Sequence, residues 1–467
     1  MRRESRSMVY IRQHHLPNLR NYRYAGIDHS LVSRYILKPF YNKCVIGCFP
    51  MGMASGEVSR SSGKLALEAF FFLLRSLATF ITLTGFMFVV INFITVMWYN
   101  PNLDQDCPPW VYASCALGLF LYQTFDAVDG MQAYVFNLAA VLRVNANIRI
   151  DEERDKVVRW ESFLITVCVD ACNTGLGVLI FAAAMNLGQS WMTFLSLFGS
   201  TMTFYVQTWD EYYTQVLTLG VVSGPVEGIL TLCTVYAFTA YMGGGSFWHR
   251  PMLETLGVSK PSFISQQVYE MPFTQWYLVY GALMLFFATG SSILHVMQVR
   301  RQRGQDPVAP LYGLLPLVAI WTLVPAYLYL NPAVLENYTI PFGLFVGLIN
   351  AYSVGRMIVG HLVQSGFPYH NILLYPLALG VIDSAGSVLG LWHPVLGSSV
   401  GQVAFVFVCL GLAVGVYGSF VFDVITTICD YIDIWCLTIK YPYVEETEHK
   451  DGAAVKAQVE GTSKKAQ

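Results

Sequence analysis

Asp126-Ala-Val-Asp-Gly-Met-Gln-Ala133 closes a hydrophobic run that begins near Trp110, and a third acid, Asp170, stands in the next apolar segment. Asp126 and Asp129 are one helical turn apart, so a helix presents both carboxylates on one face. Carboxylates at a membrane boundary are costly unless something cationic neutralises them. The simplest neutraliser is a divalent metal, and metals held by carboxylates suit phosphate chemistry. Gly130 leaves room for a backbone or a ligand beside the acids.

Working outward, the 467 residues are 55% hydrophobic and only 12% charged, with a mean hydropathy of +0.48. That composition describes a polytopic membrane protein and excludes an ordinary soluble domain. A net charge of −2 gives no reason to expect a nucleic-acid partner. The first sixty or so residues are polar and basic, which speaks against a cleavable signal peptide and leaves targeting to the first span. Cysteine pairs 44/48 and 168/172 sit in apolar surroundings without paired Cys-x-x-Cys knuckles, so buried small hydrophobes are the better reading than zinc ligands.

The expected fold is all-α, a polytopic transmembrane bundle preceded by an interfacial helix. Apolar runs of spanning length cover 77–99, 109–133, 163–187, 190–208, 215–242, 275–299, 311–330, 339–360, 372–392 and 401–436, about ten in all. Turns rich in polar residues, Pro or Gly separate them. Residues 1–27 read as a basic, mobile arm. From Asp28 to Phe49, apolar Leu31, Tyr35, Ile36, Phe40 and Val45 alternate with basic Arg34, Lys38 and Lys43. Such a segment suits the membrane interface, with a plain cap helix as the alternative. Gly224-x-x-x-Gly228, Gly343-x-x-x-Gly347 and Gly411-x-x-x-Gly415 would let helices approach closely. The tail from Val444 is charged and reads as disordered.

Lysine and arginine set the orientation. With the N-terminus in the cytosol, that side collects the arm, Arg143–Arg159, Arg300, Arg301, Arg303, Arg356 and the tail lysines, leaving Arg250 and Lys260 opposite. Asp126 and Asp129 then face the cytosol, within reach of a soluble nucleotide. Asn337-Tyr-Thr339 is a glycosylation sequon too close to a span to favour modification.

Asp126-x-x-Asp129-Gly130-x-x-Ala133 resembles the first half of the CDP-alcohol phosphotransferase signature, Asp-x-x-Asp-Gly-x-x-Ala-Arg, eight residues, then Gly-x-x-x-Asp-x-x-x-Asp. The flanks resemble the eukaryotic choline/ethanolamine phosphotransferases more specifically. They include Tyr22-Arg-Tyr-Ala-Gly-Ile-Asp28, Lys38-Pro-Phe, Ile81-Thr-Leu-Thr-Gly-Phe86, Pro108-Pro-Trp110, Phe120-Leu-Tyr-Gln-Thr124, Asp170-Ala-Cys-Asn-Thr174, Trp209-Asp-Glu-Tyr212 and Gly224-Pro-Val-Glu-Gly228. The resemblance runs from about residue 15 to 440 and divides the chain accordingly. Residues 1–54 form the arm and interfacial helix, 80–242 the catalytic-type core, 243–440 further transmembrane helices and 441–467 the tail.

The resemblance implies transfer of phosphocholine or phosphoethanolamine from CDP-choline or CDP-ethanolamine to diacylglycerol, releasing CMP. It implies Mg²⁺ or Mn²⁺ held by Asp126, Asp129 and Asp170, with Gly130 and Ala133 beside the nucleotide and Asp170 a candidate base. It also implies membrane lipids around the protein, a second copy of the chain as a candidate partner, and residence in the endoplasmic reticulum or Golgi. The terminal Lys464-Lys-Ala-Gln467 resembles a dilysine retrieval signal.

The second half of the signature departs from the pattern. The Arg position is Tyr134, the Gly position Ser162, the third acid Thr166 and the adjacent His Val167. Asp129 and Asp170 stand 41 apart where the signature gives 22, and the extra block includes Arg149-Ile-Asp-Glu-Glu-Arg-Asp-Lys156. Residues 55–79 likewise replace a Pro-Asn entry to the Thr-Leu-Thr-Gly helix. Blocks 55–79 and 134–166 have the form that translated non-coding sequence would take. A catalytically impaired relative with a scaffolding or regulatory role is therefore the competing reading, and a transporter a more distant one. Glu227 suits a bonded packing role or a ligand role equally, and Asp210 and Glu211 suit either a cationic headgroup or a solvated loop.

Overall fold

The computed structural model describes residues 10–21, 26–28, 39, 83–126, 169–219, 225–260 and 265–432. Nearly all of the amphipathic stretch 28–49, both atypical blocks and the tail lie outside them. Among the described residues, ten helices of fifteen residues or more carry the chain. They are α1 (Leu83–Tyr99), α2 (109–126), α3 (Val169–Ala184), α4 (Trp191–Thr214) and α5 (Pro225–Met242). After them come α6 (Phe273–Gln302), α7 (Leu315–Leu330), α8 (Thr339–Leu362), α9 (Leu374–Val388) and α10 (Ser399–Ile432).

Local signals end these helices. The Ser190 hydroxyl accepts the Met192 N–H at the start of α4, and Gln215 closes that helix in the left-handed region at φ 64. Asn100 folds the chain back after α1, its Oδ1 accepting from the Asp104 and Gln105 amides at 3.0 and 3.2 Å.

Among the described residues, four helices, Phe273–Gln302, Ala309–Leu330, Thr339–Leu362 and Ser399–Tyr431, are long and apolar enough to cross a membrane. Leu83–Tyr99, Val169–Ala184 and Leu374–Val388 are shorter apolar helices. The outward face of α6 carries exposed Tyr280, Leu283, Phe286, Phe287 and Leu294. A continuous apolar surface of that kind needs lipid in place of water. The chain is an integral membrane protein of helical construction. Among the described residues, a parallel pair of three-residue strands, β1 (Gly26–Asp28) and β2 (Leu217–Leu219), departs from an all-α description.

Two apolar clusters form the interior. One is built from α4, α7, α8 and α10, and α8 is buried along nearly its whole length. The other joins α1, α2, α3 and α5. Helix α3 belongs to both, giving Ala171 and Val178 to the first and Val169 and Leu179 to the second. It crosses α8 where Gly175 and Gly347 meet, so closely that a Cβ on Gly347 would lie 3.3 Å from the Gly175 Cα. Gly343 packs near Leu179 and Leu197 in the same seam. Gly228, Gly411 and Gly415 face open space, so the Gly411/Gly415 pair packs no helix among the described residues, and Gly224 lies outside them.

Residues 10–19 differ from the mobile arm expected there. Ile11, Leu16 and Leu19 are buried in the first cluster, and Asn18 Nδ2 donates to the Val363 carbonyl at 2.9 Å. Apolar residues three to five apart in a basic stretch were enough to dock it.

The two ends of the bundle are tied differently. At one, Arg303 donates to the Tyr213 and Thr214 carbonyls, and Tyr212 donates to Ser365 O at 2.6 Å. This joins the C-terminal ends of α4, α6 and α8. At the other, Asp106 Oδ1 accepts from Asn186 Nδ2 at 2.7 Å and the Ser246 N–H at 2.9 Å. Burial alone would raise the Asp106 carboxyl, but bonds from Ser246, Asn186 and the Gly245 backbone hold it below its ordinary value. His249 Nε2 lies 3.0 Å from the Met185 and Asn186 carbonyls. This clasp links the start of α2 with the far ends of α3 and α5, and so aligns the helices that carry the acids.

Candidate active site

Helix α2 runs from the clasp towards the opposite end and brings Tyr122 and Asp126 there on one face, one turn apart. Helix α3 starts at that same end with Asp170 and Asn173, again one turn apart. Helix α1 backs α2 closely. Asn92 Nδ2 donates to Ser114 O at 3.2 Å over Gly118, and a Cβ on Gly85 would come within 3.3 Å of Phe125 Cβ. The Gly in Ile81-Thr-Leu-Thr-Gly-Phe86 is thus a packing residue for the site helix.

Tyr122, 2% exposed, is the contact between the two site helices. Its hydroxyl donates to Asp170 Oδ1. The negative charges of Asp170 and Asp126 both act on this phenol, and Asn173 lies near it. Thr174 Oγ1 donates to the Asp170 carbonyl at 2.9 Å, which secures the first turn of α3. The Asn173 Oδ1 atom is buried and has no hydrogen-bond partner among the described residues.

Of the acids expected to hold a metal, Asp170 accepts the Tyr122 hydroxyl and Asp126 stands one turn beyond Tyr122 on α2. Asp129, Gly130 and Ala133 lie outside the described residues, as do Tyr134 and Thr166. Among the described residues no group of three His, Cys, Asp or Glu side chains comes together. Two carboxylates and an amide oxygen are hard donors, and they fit Mg²⁺ or Mn²⁺ better than softer ions. Sequence reasoning assigned no role to Tyr122 or Asn173. The signal was present, since each stands one helical turn from an acid.

Three further acids lie at the same end. Glu227 is in the first turn of α5, and Thr231 Oγ1 donates to its carbonyl at 2.8 Å. Asp210 and Glu211 end α4 beyond the apolar run 190–208. Asp210 is 2.9 Å from His295 Nδ1 on α6, so it has a partner within the bundle and is not a solvated loop acid. Burial, and then the Asp210 charge, push the Glu211 carboxyl up to about 7. Trp209 beside them is fully buried and donates to Pro310 O at 2.9 Å.

No family model matches the chain. It is 34% identical over 434 residues to an uncharacterized CDP-alcohol phosphatidyltransferase class-I family protein of Schizosaccharomyces pombe, covering 91% of this chain and 96% of that one. It is 33% identical over 442 residues to choline/ethanolaminephosphotransferase 1 of Saccharomyces cerevisiae, covering 92% and 98%. It is 30% identical over 455 residues to cholinephosphotransferase 1 of the same yeast, covering 93% and 98%. These similarities extend across the whole bundle and not only the helices that bear the acids.

Proposed function

The chain belongs to the CDP-alcohol phosphatidyltransferase class-I family, and from that premise we propose that it transfers phosphocholine or phosphoethanolamine from a CDP-alcohol to diacylglycerol. The observation that supports this reading is the hydrogen bond from Tyr122 to Asp170, with Asp126 one turn beyond Tyr122 on the same helix, in a chain similar throughout to choline/ethanolaminephosphotransferases. The diacylglycerol hydroxyl oxygen attacks the phosphorus bearing the choline or ethanolamine. A new P–O bond forms, the P–O bond to CMP breaks, and CMP leaves with that electron pair. The hydroxyl proton passes to a carboxylate, for which Asp170 is the candidate.

Asp126, Asp129 and Asp170 would hold Mg²⁺ or Mn²⁺, which would supply charge compensation on the diphosphate. Tyr122 orients Asp170, and Gly130 with Ala133 leaves space for the nucleotide. In this reading about ten helices span the membrane of the endoplasmic reticulum or Golgi, with the acids at its cytosolic face. The stretch 28–49 lies in the interface, and a second copy of the chain is the candidate partner.

One observation favours a second reading, a catalytically impaired relative: Thr166 stands where the signature has an acid. Threonine supplies no carboxylate, so cation binding and charge compensation both weaken. The test is labelled phospholipid formed from CDP-choline or CDP-ethanolamine and diacylglycerol, in membranes free of endogenous enzyme. Activity that needs Mg²⁺ or Mn²⁺, and that Asp126→Ala or Asp170→Ala abolishes while the protein stays in the membrane, supports the transferase. No activity until Gly, Asp and His are restored before Asp170 at signature spacing supports the impaired relative. Mature messenger RNA that encodes residues 55–79 and 134–166 would remove the non-coding origin of those blocks.

A further inference from the structure

The feature left unused is Asn173. It is 8% exposed, and its Oδ1 has no hydrogen-bond partner among the described residues. Buried amide oxygens are almost always satisfied, so an orphan beside a candidate site points to a ligand. Asn173 stands one turn after Asp170 on α3, and Asp170 accepts the hydroxyl proton of Tyr122, so the orphan amide oxygen belongs to the turn that carries the acid.

The chemistry of the surrounding groups narrows the ligand. Asp126 and Asp170 as carboxylates only accept hydrogen bonds, and Asn173 presents its acceptor end. Two carboxylates and an orphan amide oxygen, each within one turn of Tyr122 or Asp170 on α2 and α3, call for something that is attracted to oxygen lone pairs and tolerates an anionic site. A divalent cation does both, and a neutral amide oxygen is an ordinary ligand for one. The spacing agrees, because Asp170 and Asn173 are one turn apart on α3, as Asp126 and Asp129 are on α2.

We propose that Asn173, through Oδ1, is a direct ligand of the divalent cation held by Asp126 and Asp170. This rests on the reading of those acids as a cation site. The amide is a neutral oxygen, so it completes the coordination without adding charge. Cation affinity at the site then depends on a residue outside the acids of the signature.

The experiment uses the full chain in lipid nanodiscs and titrates Mn²⁺, reading free Mn²⁺ by electron paramagnetic resonance, with no substrate present. Asn173→Ala should weaken Mn²⁺ binding roughly tenfold or more. Asn173→Asp, which keeps the shape and adds charge, should tighten it. Unchanged affinity in Asn173→Ala, where Asp170→Ala weakens binding, would overturn the proposal and leave the acids as the cation site. Unchanged affinity in both Asp126→Ala and Asp170→Ala would overturn the cation site itself and this proposal with it. If Asn173→Ala does not fold, the aspartate variant decides, and failure to tighten Mn²⁺ binding overturns the assignment.

Discussion

Tyr122 and Asp170 lie 48 positions apart and meet through a single hydroxyl. At 2% exposure, Tyr122 leaves no water to substitute for that bond. That bond contributes to where the Asp170 carboxylate stands at the start of α3. At the far end Asp106 plays the corresponding part for the helix ends. Its carboxyl is held below the ordinary Asp value of about 3.9 by the Ser246 and Asn186 bonds. The sign follows from linkage: the group releases its proton more readily when folded. Its stabilisation is present above the unfolded value and is lost as pH falls through the folded one. In thermal melts of the purified protein, the melting temperature should fall below about pH 4. Asp106→Asn should lower it already at pH 7 and flatten that acid dependence. Much of the carboxylate faces solvent, so the loss should be of order 1 kcal/mol. A variant that tracks the unsubstituted protein from pH 7 to pH 3 would show that the clasp contributes nothing through its charge.

At the scale of the element, α3 and α8 cross with glycine on both sides, and α3 owes its position to that crossing. Gly347→Leu would force a side chain against the Gly175 backbone, and overpacking of this kind costs about 1–3 kcal/mol. The displaced helix carries Asp170, so cation binding should weaken along with stability. Gly411→Leu is the matched control, because that position faces open space. Its melting temperature should stay close to that of the unsubstituted protein. Equal effects at the two positions would mean that helix propensity, and not the crossing, governs the outcome. Helix α6 shows the opposite design. It has few buried residues and turns its aromatic face outward, while its inner face packs along α4, where His295 meets Asp210 at 2.9 Å.

At the scale of the molecule, the ends of the bundle separate the basic residues. Arg303 packs against the end of α4, and Arg300 lies over the Tyr213 ring at 5.8 Å, at the end that carries Asp126 and Asp170. Arg250 lies at the clasp end, beside Phe247. The chain near Tyr10 reaches Asp423 on α10 at 3.2 Å, so the start of the described chain and the later part of α10 share one region. The expectation is that both termini are cytosolic. Protease added to sealed microsomes should then remove a C-terminal tag. A protected tag would reverse the orientation and put Asp126 out of reach of a cytosolic nucleotide.

The helical, membrane-embedded character was legible in the sequence because apolar runs are local, and a run of about 20 residues fits a bilayer whatever its neighbours do. The acids were legible for a similar reason: the Asp126/Asp129 spacing is a property of one helix, and the motif around it is contiguous. Tyr122 and Asn173 were visible as letters but not as participants, because nothing in a single chain says which faces of α2 and α3 meet. The same holds for the glycine pairs. Gly343/Gly347 and Gly411/Gly415 are identical as patterns, and only the packing of α3 on α8 separates a seam from an exposed face. Residues 10–19 read as an arm because their charge is a local property. Their burial depends on a surface that α8 and α10 create. Periodicity and composition thus determined the elements, and contacts between residues far apart in the chain decided which side chains the site contains.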